Sequence, residues 1–144
     1  MSKITNFNIR VYGLLINDKN QIIISTEKYE EQTLTKFIGG GLEKGEGLVD
    51  CLKREFFEEI KLKIEVCELY YVNDFFQASY FNTNDQIISI YYFVKPLNWN
   101  DLNRKINMNT LNQYLNWVDI NNYKTSNLSL PIDRVVLEKL KNKT

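Results

Sequence analysis

The sequence predicts an α/β fold in which a mixed sheet carries helices on its faces. Segments rich in branched side chains, with apolar and polar residues alternating, recur along the chain and are typical of strands. Two further segments repeat apolar residues with the spacing of an amphipathic helix. The order is strands, helix, strands, helix, which favours helices packed against a sheet. A length of 144 residues, without a linker or a repeat, indicates one domain over residues 1–144.

The first part of the chain is predicted to be mainly strands. A strand is expected from Asn8 to Ile16, and a turn over residues 17–20 leads into a second strand from Gln21 to Ser25. A short turn between two alternating segments predicts that these strands form a hairpin. The polar segment from Glu27 to Gln32 is expected to be a loop, and Thr33 to Ile38 a short strand.

The clearest helix is predicted from Leu48 to Ile60, where Leu48, Leu52 and Phe56 recur every four residues on one face. After it, residues 63–76 are expected to form one long or two shorter strands.

The last part of the chain alternates less regularly. A strand is predicted from Gln86 to Val94, and the Asn-rich residues 96–113 are expected to be a loop. A short strand is expected from Tyr114 to Ile120. The final helix, from Ile132 to Leu140, follows a proline, which is favoured in the first turn of a helix.

Composition excludes several classes of function. Lys plus Arg equals Asp plus Glu, with 18 of each, which argues against nucleic acid or an acidic membrane as the main partner. There is no histidine, and Cys51 and Cys67 form no CxxC pair, which excludes zinc-finger spacing and histidine-based catalysis. A metal site would therefore use oxygen ligands, which favours Mg²⁺, Mn²⁺ or Ca²⁺. No segment has the length of a signal peptide core or of a membrane span, so we expect a cytoplasmic protein.

Glycines cluster immediately before the predicted helix. Three of the six glycines form the run Gly39–Gly41, with Gly45 and Gly47 close behind. Such a run indicates unusual backbone angles or a close approach of the backbone to another group. A glycine-rich loop at a helix N-terminus can bind phosphate or lie against a metal. A tight strand-to-helix turn explains the same residues without a ligand.

Three carboxylates share one face of the predicted helix. Glu55, Glu58 and Glu59 have the spacing i, i+3 and i+4, so their charges repel one another. A divalent cation would relieve this repulsion and would accept the hard oxygen ligands. For the helix alone, a solvated acidic face is the simpler interpretation.

The glycine loop and the carboxylates together match a longer pattern. Gly40 is followed after five residues by Glu46, and after seven more by Arg-Glu-Phe-x-Glu-Glu-x-x-Leu, which ends at Leu62. This resembles the Nudix box, and eight of its nine specified positions agree. The exception is Lys61, where the family has a helix-ending glycine. A lysine in the left-handed conformation there would cost about 1–2 kcal/mol, unless the helix ends differently.

The resemblance implies an α/β/α sandwich with a loop-helix-loop catalytic motif. It implies that Glu55, Glu58 and Glu59 hold Mg²⁺ or Mn²⁺, with a backbone carbonyl from Gly40 or its neighbour. Arg54 would orient the glutamates, with Glu43 or Glu46 as further partners. Either Glu58 or Glu55 would be the general base. A base on the distal loop is not favoured, since the nearest acid there, Asp101, is better explained as a solvated residue.

The resemblance also implies a nucleotide-derived substrate. The expected reaction is hydrolysis of a diphosphate bond in a nucleoside-diphosphate-linked compound, such as ADP-ribose, a nucleotide sugar or a dinucleoside polyphosphate. Release of pyrophosphate from nucleoside triphosphates, and nucleotide sensing without catalysis, stay open. Phe37, Gly41 and Tyr80 are the predicted substrate contacts, whereas most other aromatics of residues 70–81 are expected in the core. Many family members are homodimers, and the sequence is compatible with this.

Overall fold

The computed structural model describes residues 3–107 and 112–142 and confirms the α/β class. The strands form two sheets, one with the order β4-β1-β6-β5 and one with the order β3-β2-β7. The elements in chain order are β1 (Asn6–Leu15), β2 (Gln21–Tyr29), β3 (Gln32–Lys36), β4 (Ile38–Gly41), α1 (Leu48–Ile60), β5 (Ile64–Val72), β6 (Asp85–Pro96), α2 (Trp99–Asn107), β7 (Gln113–Asp119) and α3 (Pro131–Lys141).

The four-stranded sheet is mixed, because β1 runs parallel to β6 and antiparallel to β4. In the register of β1 with β4, Arg10 lies opposite Gly41 and Tyr12 lies opposite Gly39. The glycine run is therefore an edge strand of this sheet. Because α1 follows it after only six residues, the edge strand sets where the helix begins.

The predicted hairpin of the first two strands is wrong. β1 pairs with β4 and β6, whereas β2 pairs with β3 and β7 in the other sheet. A single antiparallel bridge from Ile16 to Ile22 remains of it. A short turn brings two strands together, but the pairing is decided by partners that are distant in the sequence.

Two predicted loops are also wrong. β2 continues to Tyr29 and β3 starts at Gln32, so only two residues of the expected loop at 27–32 separate them. Within the expected loop at 96–113, Trp99–Asn107 forms α2, which is anchored by the fully buried Leu102. Residues 108–111 of that segment lie outside the described residues.

The core lies on both faces of the sheets. Alternation along β1 sends Tyr12 and Leu14 into a cluster with α3, and Val11 and Leu15 into a cluster with α1. Each face of β1 is thus covered by a helix, which agrees with the predicted sandwich. Among residues 3–107 and 112–142, no helix has the length and apolar character needed to cross a membrane.

Helix α1 has the predicted bounds, and it buries Cys51, Leu52, Phe56 and Ile60. It packs closely because a Cβ at Gly13 would lie 2.5 Å from the Phe56 ring. With the apolar face directed inward, the carboxylates are turned towards the glycine strand and the solvent.

Candidate active site

The glycine run allows a close approach of helix α1 to strand β4. A Cβ at Gly40 would lie 2.3 Å from the carboxylate carbon of Glu55, and one at Gly39 would lie 2.1 Å from the carbonyl oxygen of Val11. None of the glycines from 39 to 41 has a positive φ, so unusual backbone angles do not explain the run. The close approach of neighbouring atoms explains why Gly39 and Gly40 lack a side chain. The carboxylate of Glu55 therefore lies directly against the backbone of β4.

Arg54 is the centre of the charged network around this carboxylate. Its Nε and Nη2 donate to the two carboxylate oxygens of Glu46, at 3.0 and 2.7 Å. Its Nη1 donates to Glu55 at 3.0 Å and to Glu58 at 3.2 Å, and its Nη2 also donates to the carbonyl of Gly41 at 3.0 Å. Arg54 thus connects three glutamates to the end of β4, which is the arrangement expected for a residue that orients them.

The network lowers the pKa of Glu46. Hydrogen bonds from Arg54 are the main cause, followed by one from the backbone of Glu43, and together they lower the pKa to about 2. The pKa of Arg54 is raised in turn, mainly by its hydrogen bonds to Glu46. Both groups are therefore charged at neutral pH.

Glu59 lies in a different environment on the same helix. Its Oε1 is 3.6 Å from Nζ of Lys36, whose side chain is only 4% exposed. Its Oε2 is buried and has no hydrogen-bond partner among the described residues. Burial is the main cause that raises the pKa of Glu59 to about 7; Lys36 opposes this increase, and Glu27 and Glu55 add to it.

A second buried polar group is connected to Lys36 through the backbone of Phe37. Asp133 of α3 is fully buried and accepts hydrogen bonds from the Tyr91 hydroxyl at 2.5 Å and from the backbone N–H of Phe37 at 3.2 Å. Burial raises the pKa of Asp133 to about 6, although these hydrogen bonds oppose the increase. Lys36 in turn donates to the carbonyl of Phe37 at 3.0 Å. The backbone at Phe37 is thus held from both sides.

The structure brings most of the predicted metal ligands to one place. Glu55 lies against Gly40, and Glu59 is on the next turn of the helix. Glu58 is at the rim, with 58% of its side chain exposed. Asp101, which is exposed and paired with Arg104, behaves as the solvated residue that the sequence predicts.

The three predicted substrate contacts differ in accessibility. The Phe37 side chain is fully buried and packs edge-on against Tyr91, so no face of its ring is open to a ligand. Gly41 is partly buried, and its carbonyl is taken by Arg54. Tyr80 is 50% exposed and lines a cleft of about 300 Å³ together with Phe81 and Gln32–Leu34.

The expectation that most other aromatics of residues 70–81 are in the core is wrong. Phe75, Phe76 and Phe81 are 40%, 61% and 53% exposed, respectively. They follow the end of β5 and precede β6, in a segment that the two core clusters do not cover.

The donor set suits a divalent cation. The available groups are hard oxygens, the buried Oε2 of Glu59 has no partner, and the missing side chain of Gly40 leaves space that Glu55 fills. Within the described part of the chain, however, no three acidic or cysteine side chains already converge as a metal site. Arg54 holds Glu55 and Glu58 instead. The residues therefore fit a cation, provided that the carboxylates turn towards it on binding.

Lys36 and Asp133 belong to the same region and were missed from the sequence. A weak signal did exist for Lys36, since β3 alternates and Leu34 and Lys36 share its buried side. A lysine on a buried side needs a partner. Nothing comparable marks Asp133, which stands near the start of α3, where an acidic residue is usual.

Comparison with known proteins identifies the family. The model of the NUDIX domain matches residues 6–140, so the chain belongs to the NUDIX family. Membership makes it an enzyme of the pyrophosphohydrolase class. No curated protein matches the sequence.

Solved structures agree on the fold. A NUDIX hydrolase from Nitrosomonas europaea has a TM-score of 0.71 and 16% identity, over 93% of this chain and 87% of that one. The solution structure of the E. coli ORF135 protein has a TM-score of 0.68 and 19% identity, over 94% and 88% of the two chains. An ADP-ribose pyrophosphatase from Streptococcus suis has a TM-score of 0.59 and 12% identity, over 92% and 86%. At these identities, the likeness is one of fold alone.

Proposed function

We propose that this protein is a Mg²⁺-dependent hydrolase of the diphosphate bond in a nucleoside-diphosphate-linked substrate. The observation that carries the proposal is the contact of Glu55 with the Gly40 backbone, beside the buried and unpartnered oxygen of Glu59. Glu55, Glu58, Glu59 and the carbonyl of Gly40 would hold the cation. When bound, Mg²⁺ or Mn²⁺ would neutralise phosphate oxygens and make a water more acidic.

The residues of the chain divide the remaining work. Glu58 has the most exposed carboxylate of the three, so it is the better placed to take a proton from a water that attacks phosphorus in line. Arg54 holds Glu55 and Glu58 through Nη1, and it would keep them close to the cation as their carboxylates turn towards it. Its hydrogen bonds with Glu46 would support the orientation of these ligands.

The cleft beside Tyr80 supports a nucleotide-derived substrate. It has a volume of about 300 Å³, at the lower end for small-molecule sites, and the rings of Tyr80 and Phe81 face it. Aromatic rings of this kind stack on a base or a sugar. One structural neighbour is named as an ADP-ribose pyrophosphatase. ADP-ribose is therefore the first substrate to test.

The test is phosphate release, with phosphatase coupling, from ADP-ribose, nucleotide sugars, dinucleoside polyphosphates and nucleoside triphosphates. We expect turnover of the first three classes with Mg²⁺ or Mn²⁺, and a loss of at least about 100-fold in Glu59→Gln, more than is usual for a supporting residue. Glu68→Gln, which removes an exposed carboxylate on β5, is the matched control and should retain the wild-type rate.

The outcomes separate the alternatives. Equal activity in EDTA contradicts metal dependence. Turnover of nucleoside triphosphates alone, with pyrophosphate as the product, shifts the reaction to the second class. Tight nucleotide binding by a folded protein without any turnover indicates a sensing domain.

A further inference from the structure

Arg10 is a second arginine near Glu55 and Glu59, and it has no role in the reaction proposed above. It lies on β1, directly opposite Gly41 of the glycine strand. Its Nη1 would lie 3.7 Å from a Cβ built on Gly41. The guanidinium group therefore lies beside the same strand that Glu55 contacts from helix α1.

The guanidinium of Arg10 is held from two sides. Its Nε donates to the Tyr12 hydroxyl at 2.7 Å, and its Cζ lies 5.7 Å from the centroid of the Tyr12 ring. On the other side, Cζ lies 5.5 Å from the centroid of Phe81, a ring that also lines the cleft. Two aromatic contacts and one hydrogen bond hold the position of the group before any ligand arrives.

The outer edge of this guanidinium has donors without a partner among the described residues, and the side chain is partly exposed, so we call this edge open. An arginine has five N–H donors, and Nε of Arg10 uses one. Within residues 3–107 and 112–142, Nη1 and Nη2 make no hydrogen bond to the protein, and Arg10 forms no ion pair within 4 Å. By contrast, both Nη atoms of Arg54 are engaged by carboxylates and a carbonyl.

The positive charge of Arg10 interacts with Glu55 and Glu59 at a distance, without an ion pair within 4 Å among the described residues. Burial tends to lower its pKa, but Tyr12, Glu55 and Glu59 outweigh this, so the pKa is raised. The group is therefore a permanent cation, next to a site where phosphate oxygens would arrive. A planar guanidinium with a free edge matches two oxygens of one phosphate.

We infer that Arg10 is a phosphate-binding residue. Its open guanidinium edge holds a phosphate of the substrate between the carboxylates of helix α1 and the cleft beside Tyr80. The inference rests on the proposed function and adds a specific contact to it. It assigns Phe81 a supporting role, because its ring fixes the guanidinium plane.

The test is the affinity for inorganic pyrophosphate, measured by calorimetry in excess Mg²⁺. We expect Arg10→Met to bind about 10- to 100-fold more weakly, which is the loss expected when hydrogen bonds to a charged group are removed. Arg10→Lys keeps the charge but loses the planar fork, and should bind roughly 3- to 10-fold more weakly. The matched control is Arg104→Met, which removes one exposed positive charge on α2 and should bind like the wild type.

Each result decides the assignment. Unchanged affinity in folded Arg10→Met overturns it, as does an equal loss in Arg104→Met, because general charge would then explain the effect. If Arg10→Met does not fold, wild-type affinity in Arg10→Lys overturns it instead. Phe81→Leu, at an exposed position, should weaken binding a few-fold by releasing the guanidinium.

Binding and hydrolysis are read separately. Pyrophosphate binding needs no turnover, so failure of the hydrolysis panel bears on the proposed function and not on Arg10. No measurable binding of pyrophosphate by the wild-type protein would overturn the role of Arg10. With a hydrolysed substrate, Arg10→Met should raise KM more than it lowers kcat, since the phosphate is held before and during the reaction.

Discussion

The carboxylates of helix α1 are held in two contrasting regions, which we name the outer cluster and the inner pair. The outer cluster consists of Arg54 with Glu46, Glu55 and Glu58, and it reaches the solvent at Glu58. The inner pair is Lys36 with Glu59, and its lysine is almost completely buried. Both regions combine one cation with carboxylates of the same motif. They differ in how exposed the cation is to solvent and in how many hydrogen bonds it makes.

This difference determines what each cation does. Arg54 makes several hydrogen bonds in a region that water also reaches, so its contribution is mainly geometric. Lys36 forms its ion pair at 3.6 Å, where an unpaired carboxylate would be costly. We therefore expect a change of Lys36 to act mainly on stability and a change of Arg54 to act mainly on catalysis.

The largest effect is expected from Lys36→Met, which removes the cation and leaves Glu59 partly buried without its partner. Breaking a buried pair typically costs several kcal/mol, and Glu59 retains some exposure, so we expect a loss of about 3 kcal/mol. Urea unfolding of the metal-free protein measures it, at a pH well above the raised pKa of Glu59, where the carboxylate is charged. Lys95→Met is the matched control, since Lys95 and Glu65 form a pair at 3.8 Å with both side chains more than half exposed. That change should cost less than about 1 kcal/mol.

A double variant tests whether the loss of stability comes from the isolated charge of Glu59. Adding Glu59→Gln to Lys36→Met removes the isolated charge, so it should recover part of the lost stability. If the double variant is no more stable than Lys36→Met, the loss comes from packing of the lysine stem and from its hydrogen bond to Phe37, and not from the isolated charge of Glu59. Equal losses in Lys36→Met and Lys95→Met would show that burial adds nothing to the contribution of the inner pair.

The second effect concerns the outer cluster. Arg54→Lys keeps the charge but cannot contact Glu46, Glu55 and Glu58 together, because an ammonium lacks the planar fork. Changes in residues that orient metal ligands typically reduce activity by about 10- to 100-fold. We expect this loss in kcat/KM, with a stability change below about 1 kcal/mol. A stability loss as large as that of Lys36→Met would contradict the division of roles.

The sequence predicts local features well and distant pairings poorly. Helix α1 has the predicted bounds because its apolar period and its carboxylate spacing are local properties. The hairpin of β1 and β2 is wrong because their partners, β6 and β7, are far along the chain. Helix α2 is missed because its Asn-rich segment has weak helix propensity, and a single buried residue, Leu102, anchors it.

The site divides in the same way. The motif spacing predicts Arg54 and the glutamates as site residues, and in the structure Arg54 donates hydrogen bonds to Glu55 and Glu58. Lys36, Arg10 and Asp133 come from other elements and carry no motif of their own, so only the fold shows that they lie near these residues. Which side chains of a strand are buried depends on the strands and helices that pack against it. The alternation of residues in a short strand indicates this only weakly.

The smallest effect is expected at Lys61, which follows the last residue of helix α1. It has φ 54° and ψ 35°, so the lysine adopts the left-handed conformation that the family motif reserves for glycine. That conformation costs a residue with a side chain about 1–2 kcal/mol. Lys61→Gly removes this strain but adds freedom to the unfolded chain, worth about 0.4–1 kcal/mol. It also loses the contact of the ammonium with the Phe57 ring, 5.5 Å from its centroid.

The balance of these terms is a stabilisation of about 0.5 kcal/mol, measurable in urea. Lys63→Gly is the matched control, because Lys63 is exposed and has no positive φ. Only the entropic term applies there, so Lys63→Gly should be less stable than the wild type. If both glycine variants lose the same stability, the left-handed lysine is not strained, and the departure of Lys61 from the motif has no energetic consequence. A gain of stability in Lys61→Gly and a loss in Lys63→Gly would show that the backbone at position 61 has the conformation of the motif and disfavours the lysine side chain.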